Sequence, residues 1–172
     1  LRGEVNFPAF EQALKGFSRY ASGQDRLLVL IDYTKPSTEK RFYILDLLQK
    51  KLLLSTYVAH GRGSGDNYAV AFSNRPGSYQ SSLGFFRTGD TYMGKNGYSL
   101  FLDGLEKGIN DKARERAIVV HGANYADPAV LKGQQRLGRS LGCPALPPDI
   151  SKQVIDTIKG GVLLYIYGLN KA

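Results

Sequence analysis

The stretch RLLVLIDYTKPSTEKRFYILDLLQKKLLLSTYVAH, residues 26–60, decides the fold class. It contains three short apolar or alternating runs, LLVLID, RFYILDLL and KLLLSTYVA, which are separated by the polar segments YTKPST and LQKK. Short runs of this kind between turn-forming residues are typical of neighbouring strands in an antiparallel sheet. The stretch therefore predicts a β-meander.

The segment before the meander has a helical period. Residues 7–20 carry four apolar side chains that recur on one face and predict an amphipathic helix packed on the core. These are Phe7, Phe10, Leu14 and Phe17. A chain of 172 residues can bury one core but is too short for two, so we expect a single domain. Within it, residues 1–25 form the N-terminal helical part and residues 26–172 the main domain.

The second half of the chain alternates glycine-rich segments with further elements. Residues 60–99 are rich in glycine and predict two or three short strands joined by functional loops. AIVVHG at 117–122 predicts a strand, DISKQVIDTIKGG at 149–161 predicts a helix that ends at Gly160, and VLLYIYG at 162–168 predicts a last strand. Strands outnumber helices, so the predicted fold class is mainly β with flanking helices.

The charge of the chain indicates its partners. It has 23 Lys and Arg residues against 15 Asp and Glu, a formal net charge of +8, which favours a negatively charged partner. The basic residues are scattered and form no nucleic-acid-binding motif, so we expect an anionic substrate and no nucleic acid. No apolar run approaches the roughly 20 residues that span a bilayer. The start, LRGEVNFPAF, lacks a signal-peptide pattern, so an exported protein would be represented by its mature part.

One cysteine and two histidines are the residues best suited to chemistry. His60 and His121 each precede a glycine at the end of an apolar run, and Cys143 follows His121 by 22 residues, which allows the chain to fold back. An imidazole beside the thiol could generate a thiolate near neutral pH. Gly142 would allow a strained turn that directs the N–H groups of Gly142 and Cys143 at an oxyanion. A buried structural thiol is the alternative.

Several blocks of the sequence resemble a known family. HGA at 121–123 followed by SLGCPAL at 140–146 resembles the HG and S-H-G-C signature of the L,D-transpeptidase (YkuD-like) catalytic domain. VAHGRGSG, FSNRPGSYQSSLG, TGDTYMGKNGYSL and GLEKGIN resemble other blocks of the murein L,D-transpeptidase branch of Gram-negative bacteria, so the resemblance covers roughly residues 42–168. It implies a mainly β fold with a mixed sheet or sandwich, in a protein of the periplasm or cell envelope.

The resemblance also implies a reaction, that of a cysteine acyltransferase acting on anionic peptidoglycan stem peptides. Cys143 would attack the carbonyl at the L-centre of diaminopimelate and expel D-alanine. An acceptor amine would then form a 3–3 cross-link, or water would release a trimmed stem. His121 would be the base, the backbone of Gly122 would orient its ring, and Gly142 would offer an oxyanion N–H. Ser140 occupies the hydroxyl position of the motif, near the substrate.

Two positions depart from the family pattern. Leu141 stands where the motif has a histidine, and Ala145 stands where many members have an arginine. His60 is a candidate partner of His121 and a candidate substrate contact, and Tyr92 is a candidate for the donor site because it lies in the TGDTYMG block. The candidates to replace the missing arginine are Arg139, Arg136 and Arg87.

Two other functions are compatible with parts of the sequence. A non-catalytic peptidoglycan-binding module would explain Leu141 and Ala145, and a cysteine peptidase of another family would use the same Cys and His. Papain-like peptidases place the cysteine before the histidine along the chain, and the reverse order here counts against that interpretation. One Cys and two His offer at most three metal ligands without a close pair, so neither a metal nor a cofactor is expected. The sequence predicts neither the acceptor nor the oligomeric state.

Overall fold

The computed structural model describes residues 3–20 and 25–171. Over these residues the chain forms one eight-stranded sheet and two α-helices, which confirms the predicted fold class. The helices are α1 (Phe7–Tyr20) and α2 (Pro148–Ile158). The strands are β1 (Leu27–Asp32), β2 (Phe42–Asp46), β3 (Lys51–Thr56), β4 (Gly84–Gly94), β5 (Gly97–Gly104), β6 (Val119–Gly122), β7 (Ala145–Leu146) and β8 (Leu163–Tyr167).

The sheet is mixed and has the strand order β3-β2-β1-β8-β4-β5-β6-β7. β1, β2 and β3 pair in antiparallel fashion, which confirms the predicted meander. The last strand, β8, lies between β1 and β4 and runs parallel to β1. At the far edge, the two-residue strand β7 pairs in parallel with β6. This edge joins the strand that contains His121 to the segment that follows Cys143.

Both faces of the central strands are buried because a helix covers each face. In β1, Val29 and Ile31 belong to the cluster that includes the buried side of α2, whereas Leu28 and Leu30 belong to the cluster that includes α1. Successive side chains of a strand point to opposite faces. The continuous apolar run LLVLID therefore supplies both clusters, which share the sheet and form a single domain.

The first helix has the predicted bounds, and Phe10 and Phe17 of the predicted apolar stripe pack against the core cluster as expected. Its buried residues are Ala9, Ala13 and Gly16, whereas Phe7 is 68% exposed and Leu14 is 37% exposed. The small residues let the helix approach the sheet closely, and part of the predicted apolar stripe faces solvent instead. α1 packs on β1 and β8. The division of the chain after residue 25 stays a prediction.

Gly16 supports a prediction about stability, because it lies directly against the Phe85 ring of β4. A Cβ atom at position 16 would overlap three atoms of that ring. We expect Gly16→Ala to lower the free energy of unfolding by about 1–3 kcal/mol, since overpacking outweighs the better helix propensity of alanine. Gly133→Ala is the matched control, because no heavy atom lies within 4 Å of a Cβ atom there. Urea unfolding measures both variants, and an undiminished stability of Gly16→Ala would contradict the prediction.

The glycine-rich segment contains two strands, the lower end of the predicted number, and both lie in its second half. β4 is one strand of 11 residues that turns directly into β5, and residues 57–83 form a long connection. Two isolated bridges, Ala59 to Ala145 and Gly61 to Ser140, and several serine side chains take the place of a longer ladder in this connection. The Ser81 hydroxyl accepts from the Gly61 N–H at 2.9 Å, and the Ser64 hydroxyl accepts from the Ser81 N–H at 2.9 Å. Serine hydroxyls thus satisfy backbone groups that a ladder would otherwise pair.

The second helix is close to its predicted position. It begins at Pro148, where a proline is favoured because the missing N–H would have no partner in the first turn. It ends at Ile158 rather than Gly160, and the N–H of Gly160 donates to β4, to the carbonyl of Gly89, at 3.0 Å. Within the described part of the chain, neither helix has the length and apolar character to cross a bilayer.

Candidate active site

The candidate site lies at the edge formed by β6 and β7. His121 is the next-to-last residue of β6 and pairs with Ala145 of β7. Its N–H also donates to the carbonyl of Pro144 at 3.4 Å. Because these partners directly follow Cys143, the strand pairing brings the backbone of the histidine beside the cysteine segment.

The imidazole of His121 is held in one tautomer. Its Nδ1 lies 2.9 Å from the carbonyl oxygen of Gly122. A carbonyl oxygen can only accept, so Nδ1 carries the proton and Nε2 keeps a lone pair. Burial lowers the pKa of His121, opposed by this hydrogen bond, so the ring is neutral at pH 7. Position 122 has no room for a side chain, since a Cβ atom there would lie 2.9 Å from that of Ser151 in α2.

The thiol of Cys143 is buried against the strand that carries the histidine. Its Sγ lies 3.4 Å from the backbone nitrogen of Val119 and 3.4 Å from the carbonyl oxygen of Ala117, and the residue is 9% exposed. Burial raises the pKa of the thiol, whereas the Val119 N–H and the charge of Arg116 lower it. The thiol is therefore protonated at neutral pH and needs a base before it can attack a carbonyl.

The Ser140 side chain fixes the loop before Cys143 through hydrogen bonds to the backbone of that loop. Its hydroxyl donates to the carbonyl of Cys143 at 2.6 Å and accepts from the N–H of Gly142 at 3.1 Å. In this structure the Gly142 N–H donates within the loop, and the buried Ser140 hydroxyl holds the loop together. An oxyanion contact of Gly142 and a substrate contact of Ser140 stay predictions. Gly142 is still required by the turn, because its φ of 129° is rarely adopted by other residues.

The two departures from the motif have different surroundings. Leu141 is 57% exposed, so it lies on the surface of the loop. Ala145 is fully buried and clusters with Ala59 and Ala126. A long cationic side chain at position 145 would overpack this cluster and bury a charge in it. The arginine that many family members carry therefore has no room at this position.

The three arginines predicted to replace it make polar contacts that lead away from Cys143. Arg139 and Arg136 both face Asp66, at 3.2 and 3.9 Å. Arg87 lies on β4, two strands away from β6, and pairs with Asp25 at 3.6 Å. These ion pairs explain the positions of the three side chains without a substrate. The structure does not place any of them at the thiol.

Arg116, which the sequence analysis did not single out, is the cation beside the cysteine. Its guanidinium donates to the carbonyls of Ser73 at 2.9 Å and Gln80 at 2.7 Å, and to the hydroxyls of Ser82 at 2.7 Å and Ser78 at 3.2 Å. The sequence signal is weak because the acceptors lie 34 to 43 residues earlier in the chain. Only the folded connection between β3 and β4 brings them together.

His60 is buried, and both of its ring nitrogens have protein partners. Nδ1 accepts from Nη2 of Arg41 at 2.9 Å, and Nε2 donates to the carbonyl of Gly65 at 3.1 Å. Burial and the charge of Arg41 lower the pKa of His60 to about 4. A substrate contact or a partnership with His121 would require breaking one of these bonds. The carbonyl of His60 supports the cysteine loop, because it accepts from the Ser140 N–H at 2.9 Å. A substrate contact of His60 and its partnership with His121 stay predictions.

Tyr92 lies in the same row of the sheet as His121. It pairs with Ser99 of β5, which pairs in turn with His121. Two strand spacings separate the two residues, a distance of about 10 Å. The Tyr92 ring stacks on Phe101 with a centroid distance of 4.3 Å. A role for Tyr92 in the donor site stays a prediction.

A cleft of about 470 Å³ opens beside His121. It lies between the β4–β5 hairpin, the end of β6 and the start of α2, and its lining includes Lys95, Tyr98 and Asn124. This volume is typical of small-ligand sites. Of the described residues that line the cleft, Lys95 alone carries a formal charge, so the cleft favours an anionic group. Cys143 is not part of the lining.

Two other features lie outside this edge of the sheet. A larger cavity, of about 680 Å³, lies between α1 and strands β4 and β8, and neither His121 nor Cys143 lines it. Among residues 3–20 and 25–171, no three His, Cys, Asp or Glu side chains are grouped so that they could hold a metal ion. Of these two cavities, the His121 cleft is the one that a candidate site residue lines.

The matched family covers nearly the whole chain. The family model described as the L,D-transpeptidase catalytic domain matches residues 1–167, which include both helices and all eight strands. The chain belongs to this family. The L,D-transpeptidase resemblance of residues 121–146 is thereby confirmed, whereas the Gram-negative branch stays a prediction. Comparison with curated proteins finds no match for this L,D-transpeptidase domain.

Solved structures share the fold of this L,D-transpeptidase domain. The helical cell shape determining protein Pgp2 from Campylobacter jejuni superposes with a TM-score of 0.56 at 17% identity, over 86% of this chain and 50% of that one. An L,D-transpeptidase from Mycobacterium smegmatis superposes with a TM-score of 0.50 at 13% identity, over 83% of this chain and 59% of that one. An L,D-transpeptidase from Stackebrandtia nassauensis superposes with a TM-score of 0.50 at 15% identity, over 90% of this chain and 62% of that one. This chain thus spans less than two thirds of the length of each.

Proposed function

We propose that this domain is a cysteine acyltransferase acting on the tetrapeptide stems of peptidoglycan. The observation that carries the proposal is the hydrogen bond between Nδ1 of His121 and the carbonyl of Gly122, on a strand paired with the segment after Cys143. This bond leaves Nε2 unprotonated on a neutral ring, as a general base requires. Membership of the L,D-transpeptidase family supports the reaction class.

In the first step, Nε2 of His121 takes the proton of the Cys143 thiol while the sulfur attacks the carbonyl carbon at the L-centre of diaminopimelate. The carbonyl oxygen becomes an oxyanion. No described residue accepts a hydrogen bond from the N–H of Cys143, so this group can donate to the oxyanion. The C–N bond to D-alanine then breaks, the imidazolium proton passes to the leaving amine, and a thioester remains on Cys143.

In the second step, an amine of another stem peptide or a water molecule attacks the thioester carbonyl. His121 takes a proton from the attacking group and returns it to the sulfur as the C–S bond breaks. An amine produces an amide between two stems, a 3–3 cross-link, and water produces a tripeptide. Both outcomes restore the thiol and the neutral imidazole. The proposal includes export to the periplasm or cell envelope, where these stems occur.

A second candidate function is non-catalytic binding of peptidoglycan. It is favoured by the burial of Cys143, which is 9% exposed and absent from the lining of the His121 cleft. Such a module would bind muropeptides and leave them unchanged. The family match and the order of the two residues along the chain both count against a papain-like peptidase.

Incubation with muropeptides that carry diaminopimelate in a tetrapeptide stem distinguishes the acyltransferase from the non-catalytic binding module. We expect release of D-alanine, a mass adduct on Cys143 equal to the donor less D-alanine, and a tripeptide product. Addition of a second stem peptide should yield a cross-linked dimer. Mass spectrometry of the intact protein and of the muropeptides measures each species. Binding without D-alanine release would contradict the acyltransferase and support the binding module.

Lys95 leads to a prediction about substrate charge. Because Lys95 supplies the positive charge in the His121 cleft, we expect Lys95→Glu to raise KM for the tetrapeptide about tenfold at low ionic strength, with kcat changed less than about twofold. Added salt should reduce the difference. Lys132→Glu is the matched control, since it makes the same charge change at an exposed residue outside the cleft. An equal rise in KM for both variants would contradict a role of the His121 cleft in binding the substrate.

A further inference from the structure

Arg116 carries a charge that no described carboxylate neutralises. Its four hydrogen bonds go to two carbonyl oxygens and two hydroxyl oxygens, all of them neutral. No ion pair joins it to any Asp or Glu in residues 3–20 or 25–171. By contrast, Arg114 pairs with Asp103 at 2.7 Å. A guanidinium without a counter-ion keeps its full electrostatic effect on its neighbours.

The same hydrogen bonds fix the position of this charge. Nη1 and Nη2 of Arg116 each donate twice, so the four N–H bonds of the two terminal nitrogens are used within the protein. A two-bond contact with a substrate carboxylate would require leaving these partners. Arg116 therefore acts through space on an adjoining group.

That group is the nucleophile. Nη2 of Arg116 lies 3.5 Å from the position that a Cβ atom on Gly142 would occupy, one residue before Cys143. Burial lowers the pKa of Arg116 and raises the pKa of Cys143. The attraction between the guanidinium and the thiolate shifts each pKa in the opposite direction, upward for Arg116 and downward for Cys143. The cation and the sulfur are thus electrostatically coupled.

The other titratable groups near the thiol carry no competing charge. Tyr33 and Tyr125 interact electrostatically with Cys143, and burial raises the pKa of each phenol to about 12, so both are neutral at physiological pH. His121, on the neighbouring strand, is neutral at pH 7 because burial lowers its pKa. Arg116 is therefore the charged group that the sulfur meets among the described residues.

We propose that Arg116 is a positioning residue for the nucleophile, whose fixed and uncompensated guanidinium stabilises the negative charge that Cys143 carries as it attacks. A buried sulfur remains reactive because this charge offsets part of its desolvation. The inference rests on the proposed nucleophilic role of Cys143 and extends it by naming the group that supports the thiolate.

The pH dependence of iodoacetamide alkylation tests the inference, because Cys143 is the one cysteine in the chain. Arg116→Gln removes the charge, and we expect its alkylation rate at pH 8 to fall about tenfold while the profile moves to higher pH. Arg116→Lys keeps the charge and should stay within about threefold of the wild type. Arg114→Gln, which removes a charge that Asp103 already neutralises, should match the wild type.

A purely structural role would give a different pattern. It would change the rates of Arg116→Gln and Arg116→Lys alike and leave the position of the pH profile unaltered, and either result would overturn the inference. If Arg116→Gln does not fold, Arg116→Lys decides: a profile at the wild-type position supports the inference, and a displaced profile overturns it. Alkylation needs no turnover. A wild type that releases no D-alanine would therefore overturn the proposed function separately.

Discussion

Cys143→Ser should release no measurable D-alanine from tetrapeptide muropeptides, a loss of at least about a thousandfold. The proposed proton acceptor is the neutral imidazole of His121, and a serine hydroxyl is a far weaker acid than a thiol. The chain has no other cysteine that could substitute. Mass spectrometry of the muropeptides measures the release, and mass spectrometry of the intact protein should show no acyl adduct.

A Cys143→Ser protein that failed to fold would also release no D-alanine. The surroundings of position 143 indicate that the variant folds. A serine at position 143 is smaller than cysteine and carries the donor and the acceptor that face the carbonyl of Ala117 and the N–H of Val119. Thermal unfolding should therefore differ little from the wild type. Turnover by a folded Cys143→Ser protein would contradict the nucleophile. Equal muropeptide binding by both proteins, with no turnover by either, would establish the binding module.

The fold was predictable where local pattern decides it. The runs of residues 26–60 form three adjacent antiparallel strands because turn-forming segments separate them, YTKPST before β2 and LQKK before β3. The position of β8 in the sheet does not depend on local pattern. Its sequence predicts a strand, but its place between β1 and β4 is set by pairing with residues far away in the chain. No local signal carries that information.

The same limit applies to the buried face of α1. Counting apolar residues favours Phe7, Phe10, Leu14 and Phe17 alike, yet only Phe10 and Phe17 of these pack on the core. The fully buried positions are the small residues Ala9, Ala13 and Gly16. The deciding neighbour is Phe85, a residue of β4 that fills the space over Gly16. A large ring on the sheet requires small residues on the helix, and only the tertiary structure pairs the two.

In the site, the strand end and the cysteine turn follow from the sequence, whereas the hydrogen-bond partners of several polar groups do not. The Ser140 hydroxyl bonds the cysteine loop itself. The buried Arg41 holds the ring of His60. The substrate contacts of both residues stay predictions. Arg116 was overlooked because its four acceptors come from a distant connection. Hydrogen-bond partners of buried polar groups are long-range properties that composition and spacing do not encode.

His121→Gln should lower kcat by about 10²- to 10⁴-fold and remove the acid limb of the pH profile. Burial lowers the pKa of His121 from its usual value of 6.5, so the wild-type ring is neutral at pH 7. Protonation at lower pH removes the base, and wild-type activity should decline with a midpoint below 6.5. Glutamine does not titrate, so the residual activity should show no such decline. Steady-state kinetics between pH 5 and 8 measure both effects.

Alkylation by iodoacetamide distinguishes this base from an ion pair that exists before substrate binds. Burial keeps the sulfur protonated and the ring neutral, so the wild-type rate should rise continuously with pH above 7. A thiolate–imidazolium pair would instead give a fast rate that is constant from about pH 6 to 8. His121→Gln should keep the wild-type profile, because the resting imidazole carries no charge that could stabilise the thiolate. A large displacement of that profile would mean that His121 already holds the proton of the sulfur, which would contradict its role as a base that acts during the attack.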